Sequence, residues 1–344
     1  MQKAHKKLAL WKKILIVVLI VLMSFSLIIG GAITYFRLSV SDYYSASEKA
    51  FRIPDIHSGI VPQAFDYDKN NKTFLMGAYM KDGSPSPLYV INKETGSKVK
   101  RVTLLDKEGN DYNGHFSGLA IYSNFLFVAE GKSILVYKYS LVKNASDGDK
   151  IECLGKVSTY KTDTDYVRNS FLTVYGSTLI AGEFYRSPNY ETPNKHKITT
   201  KAGDYNQAIA VEYNLSSSYS LGIDPTPVKA YSLPDKVQGM YITSTNVYLS
   251  TSYGISFSHI YEYTKNSLTL EKNMTILGTS VPVYSLDSSS LVYDFKIPPM
   301  SKEIVVIDNN LYTMCESAST KYIFGNLIGS AWCYKTDLTA LKLN

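Results

Sequence analysis

One pattern of short strands recurs five times after residue 50, and it constrains the fold more than any other feature of the chain. A representative copy is GLAIY at 118–122, a two-residue turn, FLFVAE at 125–130 and ILVYK at 134–138. The same order appears in AFDY (64–67), TFLMGAY (73–79) and LYVI (88–91), and in FLTVY (171–175), TLIAGE (178–183) and AIAVEY (208–213). It returns in GMYI (239–242), NVYLS (246–250) and HIYEY (259–263), and in EIVVI (303–307), NLYTMC (310–315) and AWCY (331–334). The runs are β-branched and aromatic with a period of two, and Gly, Asn, Asp, Ser and Pro interrupt them. Such a chain is all-β, and its 29 tyrosines suit strands and binding faces.

A fourth strand follows most copies: KVKRVTL at 98–104, GKVSTY at 155–160, VKAYSLP at 228–234 and LVYDFKIP at 291–298. The last copy lacks one, but KAFRIP at 49–54 reads like FKIP at 295–298. The pattern predicts a β-propeller of five four-stranded blades closed by its N-terminal strand, because ring closure removes exposed sheet edges. The alternatives are six blades, with the extra one inside the long third repeat, and an irregular β-sandwich.

Charge locates the other end of the chain. The net +6 comes from Lys3, Lys6, Lys7, Lys12, Lys13 and Arg37, and the rest carries 30 basic and 30 acidic groups. A neutral remainder argues against a nucleic-acid partner. Residues 14–36 are 23 uncharged, mostly aliphatic residues, about 35 Å as a helix and enough to cross a hydrocarbon core of about 30 Å. Five lysines precede this run, so the expected arrangement is a basic cytoplasmic tail (1–13), a transmembrane helix (14–36), a stalk (37–48) and an extracytoplasmic propeller (49–344) at the cell membrane. The competing reading is a cleaved signal peptide, with Gly30 and Ala32 as the small residues of a cleavage site. The run exceeds a usual h-region and favours an uncleaved anchor. Cys153, Cys315 and Cys333 are too few and too scattered for a metal knuckle, though the last two fall on strands expected to be neighbours.

GHFSGLA (114–120), VQGM (237–240) and PPMS (298–301) make the chain resemble membrane-anchored or secreted bacterial β-propellers of the loosely related NHL, YVTN and strictosidine-synthase-like superfamilies. The resemblance implies a fold type and assigns no catalytic residue.

In four-stranded blades, the starts of first strands and the ends of second strands share one end of the ring. That rule gathers Gln63, His115, Asn169, Gln238 and Glu303, with Arg168 adjacent, and then Tyr79, Glu130, Glu183, Tyr253 and Glu316. The long loops 80–87, 184–207, 253–258 and 316–330 belong to the same rim, where binding usually resides. Tyr185, Tyr190 and Tyr205 would offer amphipathic rings to a carbohydrate, peptide or protein. Three chemistries fit the acids. Glu130, Glu183 and Glu316, with His115 or Glu303, could hold Ca²⁺, which takes several oxygen ligands. His115 and the glutamates could instead serve a glycoside or ester/lactone hydrolase, a glycosidase needing carboxyls about 5 to 9 Å apart. The third possibility is that each glutamate only caps its strand end or pairs with a neighbouring Lys or Arg. Asp66-Tyr67-Asp68 opens like a calcium loop but lacks its glycine and closing glutamate, GHFSG is not a nucleophile elbow, and no P-loop, HExxH or CxxC occurs. The leading expectation is therefore a membrane-anchored binding module with an extracellular protein or carbohydrate ligand, with hydrolysis as the alternative.

Overall fold

A computed structural model describes residues 2–323, 325 and 329–343. The chain divides into two units, Met1–Ser41 and Asp42–Asn344. In the first, a helix runs Gln2–Leu38, and its Leu10–Leu38 part is long and apolar enough to cross a membrane.

The second unit is a five-bladed propeller. Its innermost strands, Ile60–Asp68, Leu119–Tyr122, Phe171–Tyr175, Val237–Ile242 and Ser301–Ile307, touch one another in turn and close a ring. Each leads outward through antiparallel partners. The closing strand is N-terminal: Ser47–Arg52 lies outermost in blade five, pairing Ser47 with Thr336 and Arg52 with Trp332. Just before it, Tyr43 is buried, with its hydroxyl on Thr313 and its ring edge-on to Tyr334. The long third repeat holds no sixth blade; it carries an extended loop with a short ribbon, Ile198–Thr199 against Tyr205–Asn206. Cys315 and Cys333 do fall on adjacent strands, and both thiols are free.

Two outer edges are covered by chain borrowed from the next blade. After its third strand, blade two sends Lys150–Ile151 to pair in parallel with Thr103 and Leu104 of blade one. Blade four sends a whole hairpin, Thr269–Ile276 and Thr279–Ser285, onto blade three, pairing Ala230 with Val283 and making that sheet six-stranded. The hairpin tip is held by Asp165, whose carboxylate accepts from the N–H groups of Leu277 (2.7 Å) and Gly278 (3.0 Å) and pairs with Lys195 at 2.6 Å.

Apolar side chains fill most wedges between blades, as around Phe116 and Leu126 between blades one and two, and around Phe51 and Phe74 between five and one. The seam between blades four and five is more polar. There Ser250 and Ser301 share a hydrogen bond, Ser252 donates to the Ser301 carbonyl, and Ser258 accepts from the Ser301 N–H.

All five blades converge on Glu303, a fully buried residue of the innermost strand of blade five. One carboxyl oxygen accepts from the N–H groups of Phe65 in blade one (2.7 Å) and Leu119 in blade two (3.2 Å); the other accepts from Leu172 in blade three (2.8 Å). Glycines make this approach feasible. A Cβ on Gly118 would lie 2.6 Å from that second oxygen, and one on Gly239 of blade four would lie 2.7 Å from the Glu303 Cα. Removing the carboxyl in Glu303→Ala orphans three buried donors, so a loss of about 3–5 kcal/mol is expected in chemical denaturation. Gly239→Ala overfills the same contact and is expected to cost about 1–3 kcal/mol in the same measurement.

Candidate functional site

The end of the ring where first strands begin carries a connected polar cluster at the mouth of the channel. β-Bulges aim its side chains. Register slips by one residue between Pro62 and Ala64, between Val237 and Gly239, and between Ser301 and Ile304. The extra residues are Gln63, Gln238 and the Lys302–Glu303 pair, and a bulge is a usual device for redirecting a side chain at a site.

Gln63 donates to Glu316 Oε2 at 2.6 Å, and Lys302 Nζ meets Glu316 Oε1 at 3.2 Å. The same ammonium donates to Gln238 Oε1 at 3.2 Å, and Gln238 Nε2 donates to the Ser252 carbonyl at 3.3 Å. Blades one, five and four are thereby linked across the mouth. On the other side, Lys321 Nζ donates to the Tyr79 hydroxyl and stands over the Tyr79 ring, 4.7 Å from its centroid. His115 packs against the same tyrosine, its ring centroid 4.4 Å from that of Tyr79.

His115 owes its position to Phe116. A Cβ at Gly77 would overlap the Phe116 ring, so the glycine opens a hole that Phe116 fills completely. To do so Phe116 adopts φ 52°, a left-handed backbone that bulky residues rarely take. Gly77 and Tyr79 project from the same face of one strand, so seating Phe116 at the first brings His115 onto the second. Partial desolvation against its neighbours, and then the charges of Lys321 and Lys302, hold the solvent-accessible His115 imidazole below its ordinary pKa, against the opposite pull of Glu130 and Glu316.

The remaining expected residues separate into two groups. Asn169 is buried and works as a staple between blades, donating to the carbonyls of Gly131 (3.2 Å) and Ser133 (3.1 Å) and to Thr159 Oγ1 (2.8 Å). Tyr185, expected at the rim, is buried in the apolar cluster shared by blades three and four, because the chain after strand two of blade three turns inward there and the Tyr185 carbonyl accepts from the Lys236 N–H. Arg168 is exposed. The structure does not bring Glu130, Glu183 and Glu316 together. Glu130 accepts from the Tyr112 hydroxyl, Glu316 belongs to the network above, and Glu183 is fully buried against His196, Oε2 to Nδ1 at 2.9 Å. Among the described residues no group of three or more His, Cys, Asp or Glu side chains is placed to hold a metal ion. Glu303, a candidate acid or base by sequence, has both oxygens committed to backbone N–H groups.

Tyr190 and Tyr253 form an exposed ledge beside the mouth. The Phe184 ring centroid is 5.2 Å from that of Tyr190 and 6.4 Å from that of Tyr253, and the Arg186 guanidinium covers Tyr253 at 4.1 Å. Tyr205 is exposed as well. Sequence reasoning missed Lys302, Lys321 and Tyr322, the last of which bonds to Tyr79 and Glu316. Lys302 carried a usable signal, since it adjoins Glu303 at a strand start; Lys321 lies in the irregular loop 316–330, of which 324 and 326–328 fall outside the described residues.

The chain matches no protein-family model and no curated protein sequence. Among solved structures it is similar to BamB from Moraxella catarrhalis, at 12% identity and a TM-score of 0.30, over 74% of this chain and 56% of that one. It is also similar to a Dos1 propeller, at 11% identity and a TM-score of 0.31, over 75% and 55%. The matches span little more than half of either structure. The resemblance to propellers seen in the motifs holds at the level of fold, and the fold rests on the strand pairing itself.

A second carboxyl, Asp66, sits near Glu303 and accepts from the N–H groups of Tyr67 and Ile121, each at 2.8 Å. Burial pushes it up to about 7, although both N–H donors pull it down. The folded protein therefore keeps a proton there that the unfolded chain releases near pH 4. This contribution to stability is complete below the unfolded value and is lost as pH rises through about 7. Wild type is expected to exceed Asp66→Asn in Tm by most near pH 4, with the gap narrowing steadily towards pH 8. A gap independent of pH in paired melts overturns the assignment.

Proposed function

We propose that the protein is a membrane-anchored binding module, with its N-terminus cytoplasmic and its propeller outside the cell. The channel mouth and the adjoining aromatic ledge would take a protein or carbohydrate ligand. The observation that carries this reading is the contrast between the acids and the aromatics on one face. The four glutamates expected to do chemistry are engaged by backbone N–H groups, Tyr112, His196, Lys302 or Gln63. By contrast, Tyr190 and Tyr253 present exposed rings on a scaffold of packed blades, backed by Phe184 and Arg186. Rigid aromatic rings beside an arginine are the residue types that concentrate binding energy. The helix Leu10–Leu38 supports the anchor.

The test is in-cell crosslinking of the full chain, followed by quantification of the captured partner or glycan. Tyr253→Ala is expected to reduce capture by about tenfold or more, as loss of an aromatic anchor does. Glu130→Gln is expected to leave it intact. Turnover of a glycoside, ester or lactone that disappears in Glu130→Gln or Glu316→Gln would overturn the binding reading and favour the hydrolase.

A further inference from the structure

The channel mouth offers more hydrogen-bond donors than its own acceptors use. Lys321 is exposed, has one donor on the Tyr79 hydroxyl, and forms no ion pair with a carboxylate among the described residues. An ammonium has three N–H donors and no acceptor, so two remain. Lys302, almost fully buried, spends two donors on Glu316 and Gln238 and retains a third. The exposed His115 ring is held by stacking on Tyr79, and its nitrogens have no hydrogen-bond partner among the described residues. The acceptors are already engaged: Glu316 takes Lys302 on one oxygen and Gln63 on the other, Gln238 Oε1 takes Lys302, and Glu130 takes Tyr112.

We propose that the mouth binds an oxyanion group, a carboxylate or phosphate, held by Lys321 and His115 at the rim with Lys302 as the buried charge behind them. This rests on the reading of this face as the binding face and names the chemistry of its ligand. The fit is chemical as well as geometric. An oxyanion supplies acceptors only, and its bonds to ammonium groups are charge-assisted and short. The lysine closer to solvent is held in place by the Tyr79 hydroxyl and by the rings of Tyr79 and Tyr322, at 4.7 and 5.6 Å, so its side chain is partly ordered before the ligand arrives. Of the two carboxylates near His115, Glu316 is neutralised by Lys302 and Glu130 is engaged by the Tyr112 hydroxyl. The groups acting on His115 are Lys321, Lys302, Glu130 and Glu316, and the lysines depress its pKa more than the glutamates raise it. An oxyanion reverses that balance, so the imidazole takes up a proton on binding and affinity rises as pH falls from 7 towards 5.5.

The experiment uses the full chain in nonionic detergent with ¹³C-labelled histidine, whose five residues include His115. Inorganic phosphate and, separately, malonate are titrated at constant ionic strength against a chloride control, and His115→Gln assigns the signal. The expected result is a saturable shift of the His115 resonance with an upward change in its pKa, weakened about tenfold or more in Lys321→Gln, the order of one charge-assisted hydrogen bond. A response to phosphate alone identifies a phosphate ligand, to malonate alone a carboxylate, and to both the shared oxyanion chemistry. Lys321 is exposed, and an unchanged Tm of Lys321→Gln shows that folding is not the cause. If neither anion moves the His115 signal beyond chloride, or if Lys321→Gln leaves the response unchanged, the proposal is overturned. Partner capture that survives such a failure overturns this inference alone; loss of both overturns the binding reading on which it rests.

Discussion

A ring of sheets has a difficulty at its centre that a single carboxyl relieves here. The innermost strand of every blade is a sheet edge, and edge N–H groups facing a narrow channel have no ladder to join. Glu303 accepts from three such groups on three blades, and Asp66 accepts a fourth from Ile121. An acid suits this task because a carboxylate is acceptor-only with room for several donors, whereas a glutamine would turn two donors of its own towards them. Burial raises the pKa of Glu303 well above the usual carboxylate range, while the three N–H groups work in the opposite direction. The three N–H groups thus offset only part of the cost of burying the group. Gly118 and Gly239 contribute by having no side chain, which lets backbone and carboxyl approach closely.

The outer edges meet the same problem with a different solution. Blade one is covered by two residues from blade two, and blade three by a complete hairpin from blade four. In both cases the covering chain leaves the donor blade between its third and fourth strands, so neighbouring blades are joined by main-chain pairing as well as by apolar packing. Blade five receives the N-terminal strand. Blades four and five meet through buried serines near the mouth, and Lys342 of the C-terminal helix pairs with the buried Glu262 of blade four at 2.7 Å.

The strands and the ring closure were legible because core strands announce themselves by burial. Runs such as FLFVAE are apolar on both faces, and the likeness of KAFRIP to FKIP marked the displaced fourth strand. The hairpin at 269–285 shows the limit. Its two halves alternate as strands should, but period two does not say which sheet a strand joins, and here it joins the neighbour's. The site was legible in position and less so in role. First-strand starts placed Gln63, Gln238 and His115, and second-strand ends placed Glu316, at one end of the ring, where Gln63 bonds to Glu316, Gln238 reaches Lys302 and His115 feels the charges of Glu316 and Lys302. The same rule treated Glu303 and Asn169 as their equals, because a polar residue that satisfies backbone donors and one that faces solvent look alike in sequence. Tyr185 and Tyr190 differ in the same way: one loop folds the first inward and leaves the second exposed.

The groups that lock the ring and the groups that face its mouth are sequence neighbours. Lys302 precedes Glu303, Gln238 precedes Gly239, Gln63 lies two residues before Phe65, and His115 three before Gly118. Each pair lies at or near the first turn of an innermost strand, and three of them straddle a bulge. Fixing the second member against Glu303 therefore leaves the first little freedom to wander, and the mouth inherits its geometry from the packing beneath it. Preorganisation of this kind lowers the entropy lost on binding. It also means that a change at Glu303 should disturb the mouth before the blades come apart, since the side chains at the mouth are carried by the same short stretches of backbone that hold the ring together.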